Sequence, residues 1–352
     1  MSPSPFRSPL GRGVLLAFVA AMLFGATTPL VQRASAAVGP FAAAALIYLG
    51  AGLTAWALMA ARRNSPDAPL AGRALIRLAA VALIGAALAP TLLVLGLRRT
   101  DAATGSLLLA LEAPFTLIFS RLFLRERLSA RVGVAVALIG LGSLALTIAP
   151  GGVTASLAGP ALVAGAALAW AAENLLSRSL ADGDPLRVVR GKGLIGSAAA
   201  GLAALTAGQA LVPPGPAVAL IAIGGVGYGI SLQLYLRAQR LVGAGRTASV
   251  FAAAPFFGAV IALALGGTAP GPRLAVAAAL IAVGVWLHVT EHHSHHHIHA
   301  MVEHEHVHTH DDGHHDHHHQ SLPRGPHSHV HRHDEVEHDH EHGEDLHHRH
   351  DH

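Results

Sequence analysis

The sequence predicts an all-α polytopic membrane protein: ten transmembrane helices in two inverted five-helix repeats, plus a disordered C-terminal tail. Three observations carry this reading. Apolar runs of roughly 18–25 residues, the length that crosses a bilayer, recur along the chain as far as residue 290. Charged residues make up 13% of the 352, against about 25% in soluble domains, and mean hydropathy is +0.47. Charge is also segregated, because residues 291–352 hold 14 of the 21 acidic side chains but three of the 24 basic ones. All 27 histidines lie at or after His288. With histidine neutral, the part before the tail carries +14 and the tail −11, so the overall +3 describes neither. The chain has no cysteine, which excludes disulfides and thiolate metal sites.

Taken in order, the expected spans are 13–33, 40–61, 76–97, 102–121, 131–149, 159–178, 193–211, 216–236, 243–264 and 273–290. Arg7 and Arg12 ahead of the first run, and Ala34-Ser35-Ala36 behind it, imitate a signal peptide. Arg33 just before that triplet, and the length of the run, favour a retained span. Many spans are rich in Ala and Gly, which lets helices approach closely where packing drives association; Gly225 and Gly229 are the plainest such site. Orientation follows from basic residues in short connections. With the N-terminus inside, 17 basic residues fall on the cytoplasmic side, Lys192 among them, and four outside: Arg33, Arg98, Arg99 and Arg273. Both termini are therefore expected in the cytoplasm of a cell whose inner (plasma) membrane holds the protein. The chain divides into an N-terminus (1–12), two five-helix repeats (13–149 and 150–290) and the tail (291–352).

The repeat itself is visible. Ala113-Pro114-Phe115 recurs as Ala254-Pro255-Phe256, and at the same offset Ala103 meets Ala244, Leu122 meets Leu263 and Leu124 meets Leu265. Thr27-Thr28-Pro29-Leu30 through Arg33 lines up with Ala172-Glu173-Asn174-Leu175 through Arg178. Five spans per copy force the second copy to enter from the opposite face, the inverted repeat of many secondary transporters, whose substrate site lies near the midplane. On the fourth-span pattern of a short break, Ala102-Ala103, Ala113-Pro114, then Leu124-Arg125-Glu126-Arg127-Leu128 and Gly133 and Gly140, the chain resembles the drug/metabolite transporter superfamily, EamA-type ten-span group, over residues 13–290. The second copy has Gly266-Gly267 where the first has Arg125-Glu126. The resemblance implies a secondary transporter, often an exporter of amino acids, metabolites or drugs.

Charge inside lipid marks function. Glu112, half-way along the fourth span, is a candidate amine ligand or proton-coupling carboxylate; its counterpart is Ala253, so the role is one-sided. A structural partner for an arginine or for proline-freed backbone is the plainer role. In the sixth span Trp170, Glu173, Asn174 and Ser177 share a helix face and form a candidate polar seam, although Glu173 also stands near enough to the helix end to pair with Arg178 or meet water. Tyr228, Gln233 and Tyr235 of the eighth span are further candidates. Pro29, Pro90, Pro114 and Pro255 are expected to interrupt their spans; the proline at 114 frees the Ala110 carbonyl. Arg125-Glu126-Arg127 most simply marks the cytoplasmic end of the fourth span.

The tail carries His292-His293-Ser294-His295-His296-His297 and His314-His315-Asp316-His317-His318-His319, with acids interleaved throughout. Neutral imidazole suits Zn, Ni and Co, and so polar a segment cannot bury a core. Divalent metal at these histidines is expected as a tail ligand, and no cofactor is required for transport. Two functions remain open: a metabolite, amino acid or drug exporter with a metal-binding regulatory or buffering tail, and a Ni, Co or Zn (or metal-chelate) transporter fed by that tail. The second must make do, inside the spans, with Glu112, Glu173, Asn174, Met22 and Met59, a thin ligand set. A tethered metal buffer without transport is the third class. No nucleophile–base pair, P-loop or dinucleotide fingerprint suggests an enzyme. Expected partners are a small-molecule substrate, the lipid bilayer and divalent metal, with no nucleic acid, in a monomer or homodimer.

Overall fold

The computed structural model describes residues 9–62, 72–124, 129–147, 157–177, 180, 184–242, 244–266, 270–290 and, in the tail, 294–299, 302–308, 327–333 and 336–341. Up to residue 290 these form ten helices long and apolar enough to cross a bilayer: α1 (Leu10–Ala34), α2 (Pro40–Ala60), α3 (Arg73–Leu97), α4 (Ala102–Phe123), α5 (Ala130–Thr147), α6 (Ala158–Ser177), α7 (Pro185–Thr206), α8 (Pro214–Gln239), α9 (Arg246–Ala264) and α10 (Pro272–Val289). Helices satisfy their own backbone where no water can. Their outward surface carries large apolar side chains, among them Phe18, Trp56, Leu141, Leu205 and Trp286.

Nine spans lie within a few residues of expectation; the seventh starts eight residues early. Asp184 caps it, its carboxylate accepting from the Leu186 N–H at 3.0 Å, and Pro185 takes the first helical position. That Asp-Pro pair is a helix-start signal, which an apolar window overlooks because Arg187, Arg190 and Lys192 follow. Lys192, expected in a cytoplasmic connection, therefore lies within α7, about 10 Å along its axis. A second difference concerns Pro29, which does not interrupt its span: α1 runs through it as one helix. The carbonyl that it frees, on Gly25, lies beside Gly258 of α9, where two glycines let the backbones meet.

The other three prolines follow real breaks. Pro114 comes just after a 3-10 turn at Leu109–Leu111, and Pro255 just after a turn at Ala252-Ala253. Pro90 follows a π segment at Leu83–Leu88, and a matching π segment occupies Gly225–Ile230 in α8. Helix pairing obeys the same two-fold exchange. α1 packs on α8 and α9 as α6 packs on α3 and α4; α2 packs on α8 as α7 does on α3; α2 packs on α7 and α5 on α10 across the axis. Small residues make these contacts possible. Gly225 and Gly229 seat α8 against Thr54 of α2, and Gly193 of α7 lies against Gly52.

The two faces of the bundle differ. On the face opposite the N-terminus, Ala102–Leu108 of α4 packs against α9, with Ser106 touching Gly258. Toward the N-terminal face the two helices part: Glu112–Phe119 lies on α6, and the first half of α9 lies on α1 and α8. Several polar ties hold the closed face. Arg33 donates to the Leu265 carbonyl and Arg98 to those of Ser35 and Val38; the Gln32 amide donates to Leu97 and Thr100, at 2.6 and 2.8 Å. Gln209, just beyond α7, accepts from the Ala42 N–H of α2 at 3.0 Å. At the N-terminal face, Arg62 meets Asp184 at 3.8 Å, and Arg131 donates to Thr290 at 2.6 Å.

Residues 292–352 form a separate unit. Here β1 (Ser294–His299) pairs antiparallel with β4 (Val336–Glu341), and β2 (Val302–His308) with β3 (His327–His333). The composition argument for an unstructured tail did not include these ladders; alternating His-X-His and Val segments have the period of two that a strand requires.

Because the chain lacks cysteine, the closed face can be tested directly. A Cβ built at Gly258 falls 2.9 Å from that of Ser106, within disulfide reach after a shift of about half an ångström. Joint Ser106→Cys and Gly258→Cys substitution should give an oxidant-dependent cross-link, read as a mobility change after cleavage between the repeats, and should stop turnover until reduced.

Candidate functional site

Where α4 and α9 part, six helices bring polar groups together. The first turn after the α4 break starts at Glu112, so its carboxylate stands at the N-terminus of a short helix, Glu112–Phe119. A negative group is favoured there by the helix dipole. Its Oε1 accepts from the Asn174 side-chain amide of α6 at 2.8 Å, a link between the two repeats. Asn174 is exposed and Glu112 half-buried, near the point where α4 and α9 part.

The neighbouring residue on α6 faces elsewhere. Glu173 is 7% exposed and accepts from Lys192 Nζ of α7 through both oxygens, at 2.7 and 2.8 Å. Glu173 is buried against Lys192 rather than meeting water, and its other expected partner, Arg178, lies outside the described residues. The ammonium also sits 5.5 Å from the ring centroid of Tyr48 of α2, a cation–π distance. Gly85, in the α3 π segment, makes room for the pair: a Cβ there would run into the Glu173 carboxylate. One turn up α6, Trp170 donates its Nε1–H to the Gly85 carbonyl at 3.0 Å, which satisfies backbone exposed by the irregular segment. Ser177 donates to the Asn174 carbonyl at 3.1 Å. Trp170, Glu173, Asn174 and Ser177, expected from the sequence to form one polar seam, are each bonded to a different group.

An aromatic wall completes the site. Tyr48 and Tyr228 have ring centroids 5.3 Å apart, Tyr228 and Phe24 5.4 Å, Phe24 and Phe251 5.4 Å, and Phe251 and Tyr235 4.9 Å. The charges of Glu112, Glu173 and Lys192 act on one another and on these tyrosines. Gln233, a further candidate, is buried in α8 at 6% exposure. Pro29, Pro90, Pro114 and Pro255 lie in α1, α3, α4 and α9 and set backbone geometry rather than contact charge.

Sequence reasoning missed Lys192, Tyr48 and Gly85. Lys192 had a signal: it is the only lysine of the chain, flanked by Gly191 and Gly193. The hinge Arg125-Glu126-Arg127 lies outside the described residues, as do His292, His293, His314, His315, His317, His318 and His319. His295, His296 and His297 lie on β1, where His295 is in register with His340 and His297 with His338. On the β2–β3 ladder His304 matches His331, His306 matches His329 and His308 matches His327. Among the described residues, no group of three or more His, Asp or Glu is gathered to hold a metal ion.

If Gly85 keeps space for the ion pair, Gly85→Ala should lower stability by about 1–3 kcal/mol, measured by thermal unfolding in detergent. Gly133→Ala and Gly140→Ala, where nothing lies within 4 Å of the added Cβ, should stay within about 0.5 kcal/mol.

Comparison with known proteins gives a consistent result. The profile of the EamA-like transporter family matches twice, over residues 11–148 and 157–290, one match per five-helix repeat. A solved crystal structure, 23% identical, superposes with a TM-score of 0.59 over 80% of this chain and 96% of that one, and shares the fold. No functionally curated protein matches.

Proposed function

The chain belongs to the EamA-like transporter family, and from that premise we propose that it is a secondary transporter exporting a small amine-bearing metabolite, amino acid or drug by alternating access. The observation that carries this reading is the Glu112–Asn174 hydrogen bond between the repeats. Here a carboxylate deep in a span meets an amide rather than a cation, near the point where α4 and α9 part. Charge so placed is costly, and a protonated amine or a proton offsets that cost. Binding one and then the other lets the same carboxylate serve both directions of a cycle. The breaks before Pro114 and Pro255 sit where α4 and α9 pass from packed to parted, which suits them as pivots. The positive-inside bias supports an inner-membrane location with both termini cytoplasmic, so the gap faces the cytoplasm and export starts from this state.

A second reading is favoured by one feature. Some tail histidines pair in register across both ladders, His295 with His340 and His306 with His329 among them, and neutral imidazole is a common metal ligand. We assign the tail a buffering or regulatory role with Zn, Ni or Co; the alternative makes these ions, or their chelates, the substrate.

In proteoliposomes, Glu112→Gln should reduce proton-driven amine transport to background; a variant keeping the wild-type rate and pH dependence removes Glu112 from the coupling step. Calorimetry of the full chain should show Zn and Ni binding, and deleting 291–352 should abolish it while leaving amine transport near the wild-type rate. Complete loss of transport on that deletion, with metal uptake or efflux lost in parallel, would favour the metal reading.

A further inference from the structure

Three charges meet at the centre of the bundle, two negative and one positive, and they are not equivalent. Glu173 and Lys192 form a two-point ion pair, with the glutamate 7% exposed and the lysine side chain 17% exposed. Their surroundings are built around the pair: the Gly85 backbone packs on Glu173, the Tyr48 ring faces the ammonium, and Trp170 clamps the Gly85 carbonyl. Glu112, by contrast, is half-buried and has an amide for a partner. Every other basic residue apart from histidine, 23 of 24, is arginine. Lysine is a compact point charge that fits a two-oxygen contact over an aromatic ring without the planar reach of a guanidinium.

We propose that Lys192 sets the charge selectivity of the transport site. By neutralising Glu173 it leaves Glu112 as a single uncompensated carboxylate, so the site accepts monovalent organic cations and discriminates against dications and anions. The assignment rests on the amine reading given above and adds to it the valence of the substrate. The electrostatics are simple: two opened carboxylates a few ångströms apart repel each other at low effective dielectric and attract a second positive charge, whereas one opened carboxylate is balanced by one. Because Lys192 itself does not need to touch the substrate, it is a positioning residue.

The test is a charge series at two positions, with binding of hexylamine, 1,6-diaminohexane and hexanoate measured in the full-length detergent-solubilised protein. Trp170 fluorescence serves as the readout, after Trp56→Phe and Trp286→Phe remove the two lipid-facing tryptophans. The wild type should prefer hexylamine. Lys192→Gln should shift the diamine-to-monoamine preference by about tenfold or more toward the diamine, and Glu173→Gln should weaken hexylamine binding by about tenfold while improving hexanoate. The double variant should return to the wild-type order, and Lys192→Arg should keep it. Glu173→Gln removes no packing volume, so it decides the matter alone should Lys192→Gln fail to fold. Unchanged preferences across the series, with hexylamine bound by the wild type, overturn the role of Lys192 and leave the amine reading standing. Failure of the wild type to bind hexylamine, or a preference of the wild type for hexanoate, overturns both.

Discussion

Hydrocarbon offers no partner to a backbone carbonyl, and this constraint organises the centre of the molecule. Four spans leave regular helical geometry near their middles: α3 and α8 through π segments, α4 and α9 through turns ahead of proline. Each departure exposes backbone that lipid would leave unsatisfied, so the irregular segments must face protein or a polar cavity. At Gly85 the solution is visible, because the Trp170 indole takes the carbonyl and the glycine surface accommodates Glu173. The polar site and the backbone irregularities are thus two sides of one solution, with each supplying what the other needs.

Two-fold architecture and one-sided chemistry coexist in this bundle. Breaks, π segments and helix contacts are matched between the repeats, while Glu112, Glu173, Asn174 and Lys192 have no matched partners. Ala253 stands opposite Glu112 in the repeat. Symmetric packing is thus carried by the pair of repeats, whereas the buried charge is carried by single residues.

Much of this was legible in the sequence. Span number, repeat offset and the polar side chains on α6 all follow from apolar length, the Ala-Pro-Phe recurrence and three-to-four-residue spacing. Glu112 stood out because a carboxylate in an apolar run is rare. Lys192 was hidden by the same logic: counted with Arg187 and Arg190 as a marker of the cytoplasmic boundary, it pushed the expected start of α7 eight residues too far along. Hydropathy cannot distinguish a basic residue that ends a span from one paired within it, because the partner, Glu173, is nineteen residues away on another helix. The π segments were also invisible, since they change hydrogen bonding without changing composition. Pro29 misled in the other direction: α1 runs through it as one helix, with the carbonyl that it frees beside Gly258.

The ends of α2 and α7 tell of something besides transport. Both helices begin with proline, Pro40 and Pro185, yet Asp184 precedes one and Gly39 the other. Asp184 caps its own helix, whereas the Ala42 N–H in the first turn of α2 donates to the Gln209 side-chain oxygen of the other repeat, in space that any side chain at Gly39 would fill. The first turn of α2 therefore takes its side-chain partner from a segment later in the chain. Assembly of this helix end is thus shared between the halves, and a side chain added at Gly39 would be felt in both.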